Sequence, residues 1–93
     1  MRPTQAARSR VSAEVVIFGR DGCHLCEVAL EQLKGLQSER DFKIVEVDIE
    51  GDKELHARLL ERIPVMALDG EELYDFELDV EDLKNRLDRC SGR

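Results

Sequence analysis

The stretch VVIFGRDGCHLCEVALEQL, residues 15–33, changes its hydrophobic period halfway along. Its first part belongs to EVVIF, residues 14–18, a continuous β-branched and aromatic run that predicts a strand buried on both faces. From Cys23 onward the apolar positions Cys26, Leu30, Leu33 and Leu36, with Ala29, recur at spacings of three and four, the period of a helix. Glu27 and Glu31 fall on the outer side of that helix. The loop GRDG, residues 19–22, joins the two patterns, so two of the three cysteines stand at a strand-to-helix turn. Three uses compete for such a pair: half of a metal site, two buried small side chains, or a working dithiol.

The position favours the dithiol. A helix start offers unpaired backbone N–H groups and the positive end of the helix dipole, and both stabilise an anion. A free thiol with a pKa of ~8.5 is mostly protonated at neutral pH, whereas helix N-termini and cationic neighbours bring thiols to ~3.5–7.5. Arg20 and His24 are such neighbours in sequence and Asp21 opposes them, so a lowered pKa is expected at Cys23. The i, i+3 spacing puts both sulfurs on one helix face, close enough to close a small ring. Cys23, nearer the open end, is expected to attack a disulfide, and Cys26, nearer the core, to resolve the mixed disulfide. Arg20 would also attract an anionic thiol substrate. A zinc site needs two further ligands. The spare candidates His24, His56 and Cys90 form no second paired knuckle, so no metal ligand is assigned. His24 reads as a solvent-facing modulator, His56 as a polar surface residue on the second helix, and Cys90 as a spare thiol.

The rest of the chain supplies a frame for that turn. FKIVEVDI, residues 42–49, alternates as a second strand. Asp52 is a plausible N-cap for a helix over 53–62, whose apolar side is Leu55, Leu59 and Leu60. IPVMAL, residues 63–68, is a third strand beginning at a proline; Asp69-Gly70 is a hairpin signal, and EELYDF, residues 71–76, is the fourth strand. DVEDLKNRLDRC, residues 79–90, is a last helix capped by Asp79, with Val80, Leu83 and Leu87 as its stripe. A βαβ unit demands a right-handed parallel crossover and the tight turn an antiparallel pair. Both are satisfied by one α/β domain, a four-stranded mixed sheet with helices on both faces in the order βαβαββα. That domain is expected over residues 14–90, after a disordered polar arm over 1–13.

Bulk properties narrow the function. Hydrophobic residues make up 42% and aromatic ones only 4%, so Val, Ile and Leu must do the packing. A formal charge of −7 argues against nucleic acid and against an anionic membrane surface. No apolar run approaches the ~20 residues of a membrane span, and MRPTQAARSRVSAE, residues 1–14, lacks the apolar region of a secretory signal. Three cysteines are too few, and odd in number, for a disulfide-stapled secreted scaffold, which points to the cytoplasm; the expected state there is a monomer.

With its strand–CxxC–helix opening, Ile63-Pro64 ahead of the third strand, and this element order, the chain resembles the thioredoxin-like superfamily over residues 14–88. Its short length and early CxxC are similar to small bacterial glutaredoxin-like proteins. The resemblance implies a cis bond before Pro64, beside the dithiol, with Ile63 offering backbone groups to a substrate. Cys23 and Cys26 are then the catalytic residues, and Arg20, His24, Leu25, Ile63 and Pro64 the substrate-binding ones. Three departures stand out. Ile17 occupies the place of the buried acidic residue of thioredoxins, and His24-Leu25 replaces the usual Pro-Tyr. Counted from Pro64, the glutathione-holding Gly-Gly turn falls near Tyr74 and Asp75, which would crowd and repel a tripeptide with two carboxylates. Tyr74 reads as half-buried packing, or as an apolar ledge beside the thiols. The implied function is thiol-disulfide oxidoreductase, acting on disulfide-containing proteins or low-molecular-weight thiols. Electrons would come from a thiol or a flavin-dependent reductase, with no bound cofactor and glutathione as co-substrate at most. The alternative is a non-catalytic binding module that docks a protein, or ligates a metal or Fe–S cluster, through the CxxC.

Overall fold

The computed structural model describes residues 13–91, with side chains through residue 89. Residues 1–12 of the expected arm, and the Cys90 side chain, lie outside the described residues. Strand β1 spans Ala13–Gly19, starting one residue before the expected boundary, and helix α1 spans His24–Leu36. Strand β2 (Phe42–Asp48) leads through a 3-10 turn (Ile49–Gly51) into helix α2 (Lys53–Leu59). Strands β3 (Val65–Leu68) and β4 (Glu71–Asp75) form the hairpin, and helix α3 (Val80–Ser91) follows. The sheet order is β2-β1-β3-β4, with β2 parallel to β1 and both other pairings antiparallel. This is the mixed four-stranded sheet of the thioredoxin topology.

Local chemistry explains the joints. Asp52 Oδ1 accepts from the N–H groups of Glu54 (2.9 Å) and Leu55 (3.1 Å), capping α2, and Asp79 Oδ1 accepts from Asp82 (3.0 Å) at the start of α3. At the hairpin, Asp69 and Gly70 both take positive φ, 48° and 92°, as a two-residue turn matched to strand twist requires. Asp69 also exchanges hydrogen bonds with Glu14, tying the turn to β1.

Helices α1 and α3 cover one face of the sheet. Ala29, Leu33, Leu36, Leu83 and Leu87 pack there on Val15, Ile17, Met66 and Leu68. Leu33 is fully buried, and burial of that kind is worth about 1.5–3 kcal/mol per large aliphatic side chain. On the other face Ile49 and Leu59 pack on Val65, flanked by Phe18 and Leu55. The expectation that β1 is buried on both faces holds for one of them: Val15 and Ile17 are buried, Val16 and Phe18 only partly. The reason is the length of α2, whose seven residues cover only the Phe18–Val65 end of the sheet. The helix expected to run to residue 62 stops at Leu59, and β3 begins at Val65 instead of Ile63. Leu59 O accepts from the N–H groups of both Arg62 (2.8 Å) and Ile63 (3.1 Å), tightening the exit. A residue before proline avoids helical backbone, which ends the helix early. Arg62 then reaches β4, its Nη2 lying 3.0 Å from both Glu72 Oε1 and Asp75 Oδ1.

Candidate active site

Gly19 ends β1, and a β-carbon built on it would lie 2.8 Å from Cys26 Sγ and 3.2 Å from Cys26 Cβ. Only glycine lets the strand pass the sulfur so closely. Gly22 then takes φ 81° and Cys23 N–H donates to Arg20 O at 3.3 Å, completing the turn into α1. Cys23 is the N-cap of α1, and its Sγ accepts from Cys26 N–H at 3.2 Å. The two cysteines form a disulfide with their Cα atoms 5.2 Å apart, inside the ordinary bridging range. Cys23 is half-buried, while Cys26 is 8% exposed and joins the buried residues of α1. The pair therefore has one accessible and one buried sulfur. Beside Cys26, between α1 and the β1–β2 edge, a hollow of about 250 Å³ is lined by Ile17, Gly19, Arg20, Leu30, Glu46 and Asp48 among others.

Strand register brings the remaining site residues to the same end. The β1–β3 ladder ends at Phe18–Val65, so Pro64 sits one step beyond it, where Gly19 leaves for the cysteine loop. The Ile63–Pro64 peptide is cis, as the resemblance implied. Ile63 N–H is committed to Leu59 O, leaving the carbonyl as the backbone group that can face a substrate. His24 projects outward, its side chain 84% exposed, with Nδ1 4.0 Å from Glu27 Oε1. Leu25 is an exposed apolar residue between the cysteines. Arg20 turns its Nε to Glu50 Oε2 at 3.1 Å, so its charge is shared with that carboxylate and not held free for an anion. His56 Nε2 lies 3.7 Å from the same Glu50 oxygen, making it a partly buried member of this cluster.

Tyr74 and Asp75, where the count from Pro64 sets the glutathione-holding turn of the resemblance, lie in β4, the expected fourth strand. Tyr74 packs against the core, and its hydroxyl donates to Asp82 Oδ2 at 2.6 Å. Burial and this bond push its phenol well above the usual range, and the same bond, with Arg86, holds Asp82 below the usual carboxylate range. Asp75 is bound by Arg62. The chain leaves the strand at Phe76, with φ 66° and its N–H donating to Pro64 O (2.8 Å) and Arg62 O (3.3 Å). Phe76, 48% exposed, is the apolar residue at this end of the hairpin. Sequence reasoning missed it by treating it as the last residue of a strand; the acidic residues flanking it in DFELD, 75–79, were the available sign of a solvent-facing turn. Gly19 was missed as well, although it is the one small residue between the apolar strand and the loop.

Among the described residues, no group of three or more His, Cys, Asp or Glu side chains is placed to hold a metal ion. No helix among them is long and apolar enough to cross a membrane. A CxxC able to close as a disulfide, set in this fold, is the equipment of a thiol-disulfide oxidoreductase.

Similarity to other proteins agrees with this geometry. An uncharacterized protein of Mycobacterium tuberculosis is 33% identical over 83 residues, covering 84% of this chain and 86% of its own. A Nitrosomonas europaea protein solved by solution NMR superposes with a TM-score of 0.74 at 31% identity, covering 82% of this chain and 92% of that one. A Xanthomonas campestris protein solved by X-ray crystallography gives a TM-score of 0.66 at 32% identity, covering 81% of this chain and 96% of that one. Residues 14–88 match the family described as Glutaredoxin-like domain (DUF836), and the chain belongs to that family.

Proposed function

We propose that this protein exchanges thiols and disulfides by a two-cysteine mechanism in which Cys23 attacks and Cys26 resolves. The observation that carries the roles is the asymmetry of the pair: Cys23 is half-buried at the helix N-cap, whereas Cys26 is buried one turn further in. The Cys23 thiolate attacks one sulfur of a substrate disulfide, forming a mixed disulfide and releasing the other sulfur as a thiolate. The Cys26 thiolate then attacks Cys23 Sγ, closing the Cys23–Cys26 bond and expelling the second substrate thiolate. Two electrons pass to the substrate; the proton lost by each attacking thiol goes to solvent and on to a departing thiolate. A thiol or a flavin-dependent reductase reverses the closure. In this reading Leu25, Ile63 and Pro64 receive the substrate backbone and side chains, His24 faces solvent as a modulator, and Arg20 acts from within its pair with Glu50.

Protein disulfides fit this site better than glutathione. With Arg20 on Glu50 and Arg62 on Glu72 and Asp75, these two arginines are already neutralised by carboxylates of the same chain. A soluble cytoplasmic monomer with no resident cofactor completes the reading.

A redox titration in glutathione buffers, with thiol alkylation read by mass spectrometry, tests it. Cys23 and Cys26 are expected to interconvert as a pair within the roughly −180 to −270 mV spanned by exchange enzymes. Cys26→Ser is expected to trap a mixed disulfide at Cys23, and Cys23→Ser to abolish turnover. A pair that stays reduced throughout, or is masked by a metal, would replace this reading with the binding module.

A further inference from the structure

Four large apolar side chains are exposed among the described residues, Leu25, Val28, Val45 and Phe76, and three of them meet around one hollow. Leu25 and Val28, 45% and 40% exposed, come from α1, and Phe76 comes from the segment between β4 and α3. The hollow measures about 260 Å³; Ala29 and Leu78 complete its apolar lining, and Gln32 and Glu77 are its polar members. It is separate from the hollow beside Cys26 and lies along a different set of α1 residues.

Phe76 holds the far wall in a conformation that bulky residues rarely adopt. Its φ of 66° is over-determined by the two backbone hydrogen bonds to Pro64 and Arg62, which deliver the ring to the surface beside the hollow. Strain of this kind persists where the surroundings enforce it, and it concentrates at ligand clamps. The ring leaves about half of its surface to solvent, so the strain is not offset by burial in the core.

We propose that this hollow seats one apolar side chain from an extended, cationic segment of the protein whose disulfide is exchanged. The proposal names the substrate class of the thiol-exchange reading and rests on it. Leu25 lies between the two cysteines, so a segment with its sulfur at Cys23 runs over Leu25 toward Val28 and Phe76. The hollow is short and open, with room for one large side chain. The charge requirement comes from its surroundings. The side chain of Glu77, in the lining, is exposed with no partner among the described residues, and the whole chain carries −7. Arg20, the nearest cation in sequence to Cys23, is held by Glu50. Lys or Arg beside the anchoring residue is therefore attracted, and Asp or Glu there is repelled.

The test uses reduced full-length protein and short peptides that each carry one cysteine as a mixed disulfide with thionitrobenzoate. Near the cysteine the peptides hold Phe or Ser, flanked by Lys or by Glu, and coloured thiol release gives the rate. Hydroxyethyl disulfide is run in parallel. Phe peptides are expected to outpace Ser peptides by roughly tenfold or more, the discrimination available to one apolar pocket. Lys flanks should outpace Glu flanks by about two- to five-fold, fading as salt rises, as for an exposed ion pair. In Phe76→Asn, whose new residue tolerates left-handed backbone, the Phe-over-Ser ratio should fall toward one. In Glu77→Gln the Lys-over-Glu ratio should fall. If hydroxyethyl disulfide is reduced while the wild type treats all peptides alike, or if Phe76→Asn keeps the full Phe preference, the docking proposal fails and thiol exchange stands. A faster rate with Glu flanks overturns the charge assignment. If no disulfide is reduced, the exchange reading fails and the docking proposal with it.

Discussion

Replacing Gly19 by alanine should make the protein a stronger oxidant. Gly19 carries no left-handed φ, so alanine suits the backbone of β1, and the whole effect comes from the added methyl group. That carbon would sit 2.8 Å from Cys26 Sγ, about 0.7 Å inside the near edge of ordinary contact. Overpacking a filled site costs about 1–3 kcal/mol. The two redox states share that cost unequally. In the disulfide Cys26 Sγ is pinned by Cys23 and cannot retreat, whereas the free thiol can turn to another staggered rotamer. The contact with Cys26 Cβ at 3.2 Å remains in both states and lowers both stabilities a little. If most of the penalty falls on the disulfide, the conversion of ~1.4 kcal/mol per 30 mV raises the reduction potential by roughly 20–65 mV. Equilibration against dithiothreitol or glutathione buffers, with alkylation and mass spectrometry, reads that shift. Thermal unfolding of both forms gives an independent check at about 4–8 °C per kcal/mol, with the oxidised form losing more. An unchanged or lowered potential together with an unchanged oxidised Tm would refute the steric reasoning.

Gly35→Ala is the matched contrast. A β-carbon there meets nothing within 4 Å and the residue lies inside α1, so unfolding measurements should show a gain of about 0.5–1 kcal/mol. Leu33→Ala removes a fully buried side chain from the main core and should cost about 2–5 kcal/mol by denaturant titration, with the oxidised fold retained only if the remaining stability exceeds that loss. Acid should destabilise the fold. Arg62 holds Glu72 below the usual carboxylate range, Lys84 does so for Glu39, and Tyr74 with Arg86 for Asp82. Carboxylates depressed in the folded state contribute stability that is present above their unfolded pKa values and lost as pH falls through the folded ones. A Tm profile should therefore hold level above the ordinary carboxylate range and decline below it; Tyr74→Phe, which removes one cause of the Asp82 shift, should shallow that decline.

Much of the fold was legible because local patterns agree with it. The switch from the continuous run at Val15–Phe18 to the three- and four-residue spacing after Cys23 located β1, the turn and α1. Asp52, Asp69-Gly70 and Asp79 marked two helix starts and a hairpin through side-chain capping and left-handed turn geometry, both of which act within a few residues. The errors came where distant partners decide. The end of α2 depends on the turn before Pro64 and on the bonds of Arg62 to Glu72 and Asp75, ten and thirteen residues on. Phe76 reads as one more strand residue until the carbonyls of Pro64 and Arg62 claim its N–H.

By itself the sequence determined which two sulfurs sit at a helix start three residues apart, and which segments have a face to bury, because periodicity and capping are short-range physics. Charge fared differently: Arg20, read as a free cation beside Cys23, is claimed by Glu50, thirty residues along the chain. Only the tertiary structure decided the closeness of Gly19 to Cys26, the partial cover over β1, and the meeting of Leu25, Val28 and Phe76 around one hollow. Each of these depends on strand register and helix packing between distant segments, which spacing along a chain does not encode.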